Sequence, residues 1–317
     1  MTALGTIRRR FFGIPSVRAV FNRPGFVKEA WTNFSPVALA LVEGYHATLE
    51  DSRFAVLIPR LEAVDPEYRG FAYEGAGMGL AALDIMAPWR NRVKEFVEGP
   101  NAPAGHHIYP IYVGVGLALA RLHRSPEKFF PRLDPLLCWV VVDGYGFHEG
   151  FFAWKRSVEK KVVPSSFSPY ARRLFDQGLG RCLWFASGAL VDRVAALIST
   201  FPRERQVDLW SGVGLASSFA GGSNRRELEM LRETAAPFRV QLARGAAVAA
   251  RGHLDARHTS PHTELACQVY SGLSSEQAAH ILDEARKNLP MHSSEPAFEI
   301  WSRRTQEQFA LELGRRK

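Results

Sequence analysis

Cysteine is scarce: the 317 residues contain Cys138, Cys182 and Cys267, far apart and without a C-x-x-C pair. That usage excludes a disulfide framework and a thiolate metal cage, and it leads us to expect a reducing cytoplasm. Long hydrophobic runs are missing too. The longest, residues 136–142, falls far short of the roughly 20 residues a membrane helix needs, so membrane contact is expected to be peripheral at most. Arg8-Arg9-Arg10-Phe11-Phe12 carries the charges of a twin-arginine leader, but Gly13-Ile14-Pro15 follows where an apolar region belongs, so export is not expected. There is no P-loop and no G-x-S-x-G nucleophile elbow. Gly75-Ala76-Gly77-Met78-Gly79 has the wrong spacing for a dinucleotide fingerprint. No redox-cofactor site is recognisable, and the cofactor stays unknown. The net charge of +8 suits an acidic partner. Without zinc-finger spacing, an aromatic RNA-binding motif or a long basic helix, nucleic acid is not expected to be that partner.

Glycine, by contrast, recurs in register. Gly75-Ala76-Gly77, Gly114-Val115-Gly116, Gly144-Tyr145-Gly146, Gly178-Leu179-Gly180, Gly212-Val213-Gly214 and the degenerate Gly245-Ala246-Ala247 have first glycines 39, 30, 34, 34 and 33 residues apart. Gly44 precedes Gly75 by 31 residues and extends the series. Periods in this range mark stacked helical hairpins, each too small to bury its own apolar face. The expected fold is therefore mainly α, with tandem hairpins stacked as a solenoid resembling tetratricopeptide repeats. Residues 1–34 form a basic arm, and residues 35–317 form one helical-repeat domain.

Helices are expected at 170–188, 191–201 and 206–220, with Pro202 between the second and third. Asn224 with Glu227, and Ser274 with Gln277, have the spacing of capping boxes. A final helix over 298–313 is expected to cap the stack. Strand-like alternation is sparse; residues 136–142 read equally as a strand or a buried helix.

A glycine inside a helix costs about 1 kcal/mol relative to alanine, so eleven of them cost on the order of 10 kcal/mol, and something must offset this. One account is close helix packing. The other is a slender apolar groove floored by glycine and walled by Tyr73, Tyr112, Tyr145, Phe175, Trp184, Phe185 and Trp210, with Gly77, Gly116, Gly146, Gly178, Gly180, Gly212 and Gly214 beside Tyr145, Trp184 and Trp210 as binding residues. Both can hold, since residues two apart point to roughly opposite faces of a helix.

The densest polar cluster is Asp143-Gly144-Tyr145-Gly146-Phe147-His148-Glu149. Asp143, His148 and Glu149, with Glu74 and Arg181, are the candidate acid, base or anchoring groups, if burial tunes them; structural hydrogen bonding is the competing account of each. Glu43, Glu74, Asp176 and Asp208 stand near the first glycines of other units and would line one surface if the units superpose. His253, His258, His262 and Glu264 form a poor metal set because Pro261 interrupts the helix, and no metal site is expected. His106-His107 is expected at the surface.

The opening residues 1–10, the stretch from Arg69 to Gly79, Asp143-Gly144-Tyr145-Gly146-Phe147-His148, Gln177-Gly178-Leu179-Gly180-Arg181, Trp210-Ser211-Gly212-Val213-Gly214-Leu215-Ala216 and Pro261-His262-Thr263-Glu264 resemble the DUF1702 family nearly end to end. What this resemblance implies is a role in enediyne antibiotic biosynthesis, on the linear polyene product of the enediyne polyketide synthase during core formation. The implied partners are that hydrophobic polyketide intermediate, the synthase and accessory cluster proteins. The family transfers no catalytic residue. The alternative is a non-catalytic scaffold that assembles the synthase with membrane redox partners.

Overall fold

The glycine pairs sit on a row of long helices that are packed backbone to backbone. A computed structural model describes residues 3–99 and 103–315. Two short helices, α1 (Ala3–Phe12) and α2 (Val17–Phe21), form the arm, and α3 (Lys28–Glu50) starts the row. Residues 28–34, assigned above to the arm, are thus the first turns of a core helix, with Phe34 fully buried. There follow α4 (Phe54–Glu62), α5 (Pro66–Met86), α6 (Arg92–Glu98), α7 (Ile108–Arg121), α8 (Val140–Phe152), α9 (Pro169–Ala186) and α10 (Val191–Ser199). The chain ends with α11 (Arg203–Phe219), α12 (Arg225–Thr234), α13 (Arg239–Asp255), α14 (Pro261–Ser271), α15 (Ser275–Arg286) and α16 (Ala297–Arg315). No strand occurs among the described residues, and 136–142 resolves into a short 3₁₀ turn leading into α8. No helix among them is long and apolar enough to cross a membrane.

The core row runs α3, α5, α7, α8, α9, α11, α13, each packed against the next. Shorter helices or 3₁₀ turns connect them on the outside. In each complete pair the first glycine meets the preceding core helix and the second meets the following one. A Cβ on Gly178 would lie 1.9 Å from the Asp143 carbonyl of α8, and one on Gly180 would lie 2.0 Å from the Leu209 carbonyl of α11. Only hydrogen fits at such contacts, and the dispersion gained by close helix approach offsets the glycine cost.

Both capping boxes form as the spacing predicts, at Asn224/Glu227 and Ser274/Gln277. The row then curls back on itself. Phe34 of α3 packs on Phe185 of α9, with ring centroids 4.5 Å apart, and Phe71 of α5 on Phe219 of α11 at 5.2 Å. Beyond α13, His258 Nε2 reaches Glu67 Oε2 of α5 at 3.0 Å. The curl encloses an interior. α16 enters it with Phe298, Trp301, Ser302 and Thr305, so the final helix fills the inside of the stack as well as ending it.

Candidate functional site

The glycine register decides which side chains face this interior. From α5 to α13 the glycines point sideways to neighbouring helices, so inward-facing residues fall mostly among the positions four before, one before, three after and seven after the first glycine, the spacing of a single helix face. On α9 the stripe is Leu174, Gln177, Arg181 and Phe185. The same offsets place Phe71 and Glu74 of α5, Asp143 of α8, and Val248 and Gly252 of α13 on the wall.

Two cavities result, of about 70 and 80 Å³. Phe71, Glu74, Arg181 and Phe185 line both and form the neck between them. At roughly 10–15 Å³ for each enclosed water probe, each holds only a few waters, a bore suited to something slender. Its walls are overwhelmingly apolar. Ile14, Val17, Val20 and Phe21 of the arm cover the second cavity.

One belt of polar groups crosses the neck and the first cavity. The carboxylate of Asp143 accepts a hydrogen bond from Arg181 Nη1 and another, of 2.8 Å, from Gln177 Nε2. Arg244 Nη1 donates to Gln177 Oε1 at 2.8 Å and to Ser211 Oγ at 2.9 Å. Glu74 is buried and accepts no hydrogen bond from the described residues. Desolvation pushes its pKa up to about 7, the nearby Asp143 charge adding to the rise and Arg181 opposing it. A carboxyl group poised between its two protonation states therefore faces an apolar bore.

The structure brings Glu74, Asp143 and Arg181 together and sets His148 on the wall of the second cavity. His148 Nδ1 lies 3.5 Å from Glu149 Oε1, yet burial and the positive charges of Arg121, His123 and Arg23 pull the imidazole down to about 3. It is neutral at physiological pH, so the contact is no ion pair. Glu149 lines neither cavity; Arg156 takes its carboxylate on the far side of α8.

None of the ten residues expected to bind along the groove lines either cavity, and of the seven aromatic walls expected there only Phe185 does. Gly77, Gly116, Gly146, Gly178, Gly180, Gly212 and Gly214 abut neighbouring helix backbones, which leaves no open face on them. Trp184 is buried between helices, donating from Nε1 to Gly221 O at 3.1 Å. Tyr145 packs on Phe167, and Trp210 stacks near Phe238.

Nor do the other acidic positions share the lumen. Asp176 pairs with Arg205, Asp208 with Arg173, and Glu43 is exposed. His107 is buried and stacks on Tyr73 with centroids 3.8 Å apart, contrary to the surface position expected of it. His258 and His262 converge on Glu67, whereas Glu264 accepts from Ser275 N. Pro261 opens α14 rather than interrupting it, behind the Ser260 N-cap.

Sequence reasoning missed Gln177, Ser211 and Arg244. A signal was available: each immediately precedes a first glycine, as Glu74 and Asp143 do.

The model of a family described as "Protein of unknown function (DUF1702)" matches residues 3–309. The chain belongs to the DUF1702 family. No curated protein and no solved structure matches this DUF1702 protein.

Proposed function

We propose that this DUF1702 protein takes a long, slender, apolar chain into the lumen between its helices, and that the chain is the linear polyene of the enediyne polyketide synthase. The supporting observation is the lumen itself: a narrow apolar bore with the residues able to exchange protons gathered in a single belt. A planar conjugated chain has the cross-section such a bore admits. Once inside, it lies against Glu74, which can deliver or withdraw a proton near neutral pH, and against Asp143, which Arg181 and Gln177 hold in place. The chemistry assigned to the belt is proton transfer along a held chain during core formation, with any electrons handled by a partner from the same gene cluster. Three buried, unpaired cysteines suit a cytoplasmic setting beside the synthase.

The test is co-expression with the synthase, followed by native mass spectrometry and absorption spectroscopy of the purified protein. The wild type is expected to carry a polyene with a shifted spectrum. Leu215→Trp, which fills the lumen, should lower uptake at least about tenfold, a change of about 1.4 kcal/mol. Glu74→Gln and Asp143→Asn should still bind but fail to convert. Undiminished uptake by a folded Leu215→Trp protein removes the lumen from the reading. Full product from both belt variants leaves the scaffold role instead.

A further inference from the structure

The belt holds two buried arginines, and their surroundings differ. Arg181 is neutralised by Asp143. Arg244 is only 5% exposed and lines the first cavity, but its direct partners, Gln177 and Ser211, are both neutral. No carboxylate lies within salt-bridge distance of it among the described residues. Of the groups that favour its charge through space, the Tyr170 phenol is kept neutral by burial, and Asp208 and Asp143 are engaged elsewhere, with Arg173 and Arg181. Its Nε and Nη2 find no acceptor among the described side chains and backbone.

A guanidinium keeps its charge at any physiological pH, so it cannot escape burial by losing a proton, and an unmatched buried charge is expensive. Gln177 does not relieve it: the amide is held with Nε2 on Asp143 and Oε1 on Arg244, relaying one charge to the other. What remains is a planar donor fork at the wall of an apolar bore, the arrangement that binds a carboxylate through two parallel hydrogen bonds.

We propose that Arg244, with Gln177 and Ser211 behind it, is the seat for the carboxylate of a long-chain unsaturated acid, whose chain runs from there through the neck at Phe71 and Phe185. The inference rests on the lumen being the chain-binding site. It adds that the chain arrives with an ionised carboxyl end, and it fixes which end lies where.

Fluorescence titration with cis-parinaric acid, a conjugated tetraene acid, and with its methyl ester separates the two claims. Wild-type protein should prefer the acid by roughly 10- to 100-fold, the worth of a charge-assisted bidentate contact. Arg244→Met should bind the ester as before and lose the preference, while Arg244→Lys should keep part of it. Replacing Arg121, at the other end of the lumen, with methionine should leave the preference unchanged.

Equal affinity of wild type for acid and ester overturns the seat while leaving the lumen intact, and that comparison needs no variant to fold. Preference surviving in Arg244→Met, or vanishing in Arg121→Met, also overturns it. Binding of neither probe, or undiminished binding of both by folded Leu215→Trp, fails the lumen reading and the seat with it.

Discussion

At the scale of single residues, Glu74 makes the clearest demand on experiment. Its pKa is raised from 4.5 to about 7 on folding, so the folded state holds a proton that the unfolded chain has already released. The stability this protonated form contributes is fully present below pH 4.5 and is lost as pH rises through about 7. At about 1.4 kcal/mol per pKa unit, the loss is on the order of 3 kcal/mol. Asp176, raised to about 6, pulls in the same direction but is present in every variant and cancels in a difference. Glu74→Gln should therefore match the wild type in urea unfolding near pH 4.5 and exceed it by on the order of 2–3 kcal/mol at pH 8. Parallel stability curves for the two proteins would show that Glu74 is not held in a dry site. Reading along the chain found Glu74 but also chose Glu149. The cluster from Asp143 to Glu149 is dense only in sequence: six residues at roughly 100° each turn Glu149 away from the face that carries Asp143.

At the scale of elements, local signals were legible and long-range ones were not. Capping boxes read directly because donor and acceptor lie three residues apart. The glycine spacing even reports the connectors. The longest interval, between Gly75 and Gly114, contains α6 and a 3₁₀ turn, whereas the shortest, between Gly114 and Gly144, has only 3₁₀ turns. The belt was hidden because α5, α8, α11 and α13 contribute one residue each and α9 two, so members from different helices lie thirty or more positions apart in the sequence. Helix packing makes a sharp prediction about two glycines. In Gly178→Ala the new Cβ would meet the Asp143 carbonyl at 1.9 Å, and since the obstacle is backbone, α8 and α9 must separate. In Gly252→Ala the nearest atom is Phe219 Cε2 at 3.6 Å, an ordinary contact. The first should lose roughly 3 kcal/mol or more, and the second should gain a few tenths to about 1 kcal/mol from helix propensity. Calorimetry of both variants checks this, and similar losses in the two would mean that the glycines are not there for backbone contact.

At the scale of the whole molecule, curling turns a repeat array into a container. An open solenoid offers its concave face to solvent. Here Phe71 on Phe219 and Glu67 on His258 and His262 tie distant units together, and α16 occupies part of the space they enclose. No single repeat encodes that closure, which explains why the periodicity suggested an open groove. The container still needs an entrance, and the arm is placed to be one. Ile14 N donates to His46 Nε2 at 2.9 Å, Tyr45 Oη donates to the Phe12 carbonyl at 3.0 Å, and Arg9 pairs with Glu50. Beneath these ties, Ile14, Val17, Val20 and Phe21 line the second cavity. Most of residues 3–20 are exposed, so the arm opens at lower cost than the buried core row. Removal of residues 1–21 should keep the helical circular dichroism of the remaining chain, expose Phe147 and Phe151 to a hydrophobic dye, and speed dissociation of a cis-parinaric acid probe from the proposed lumen site by about tenfold or more, since retention is lost mainly through the off-rate. Stopped-flow fluorescence reads that rate. An unchanged rate in a folded truncation would move the entrance to the α16 side, where Trp301 and Thr305 close the first cavity.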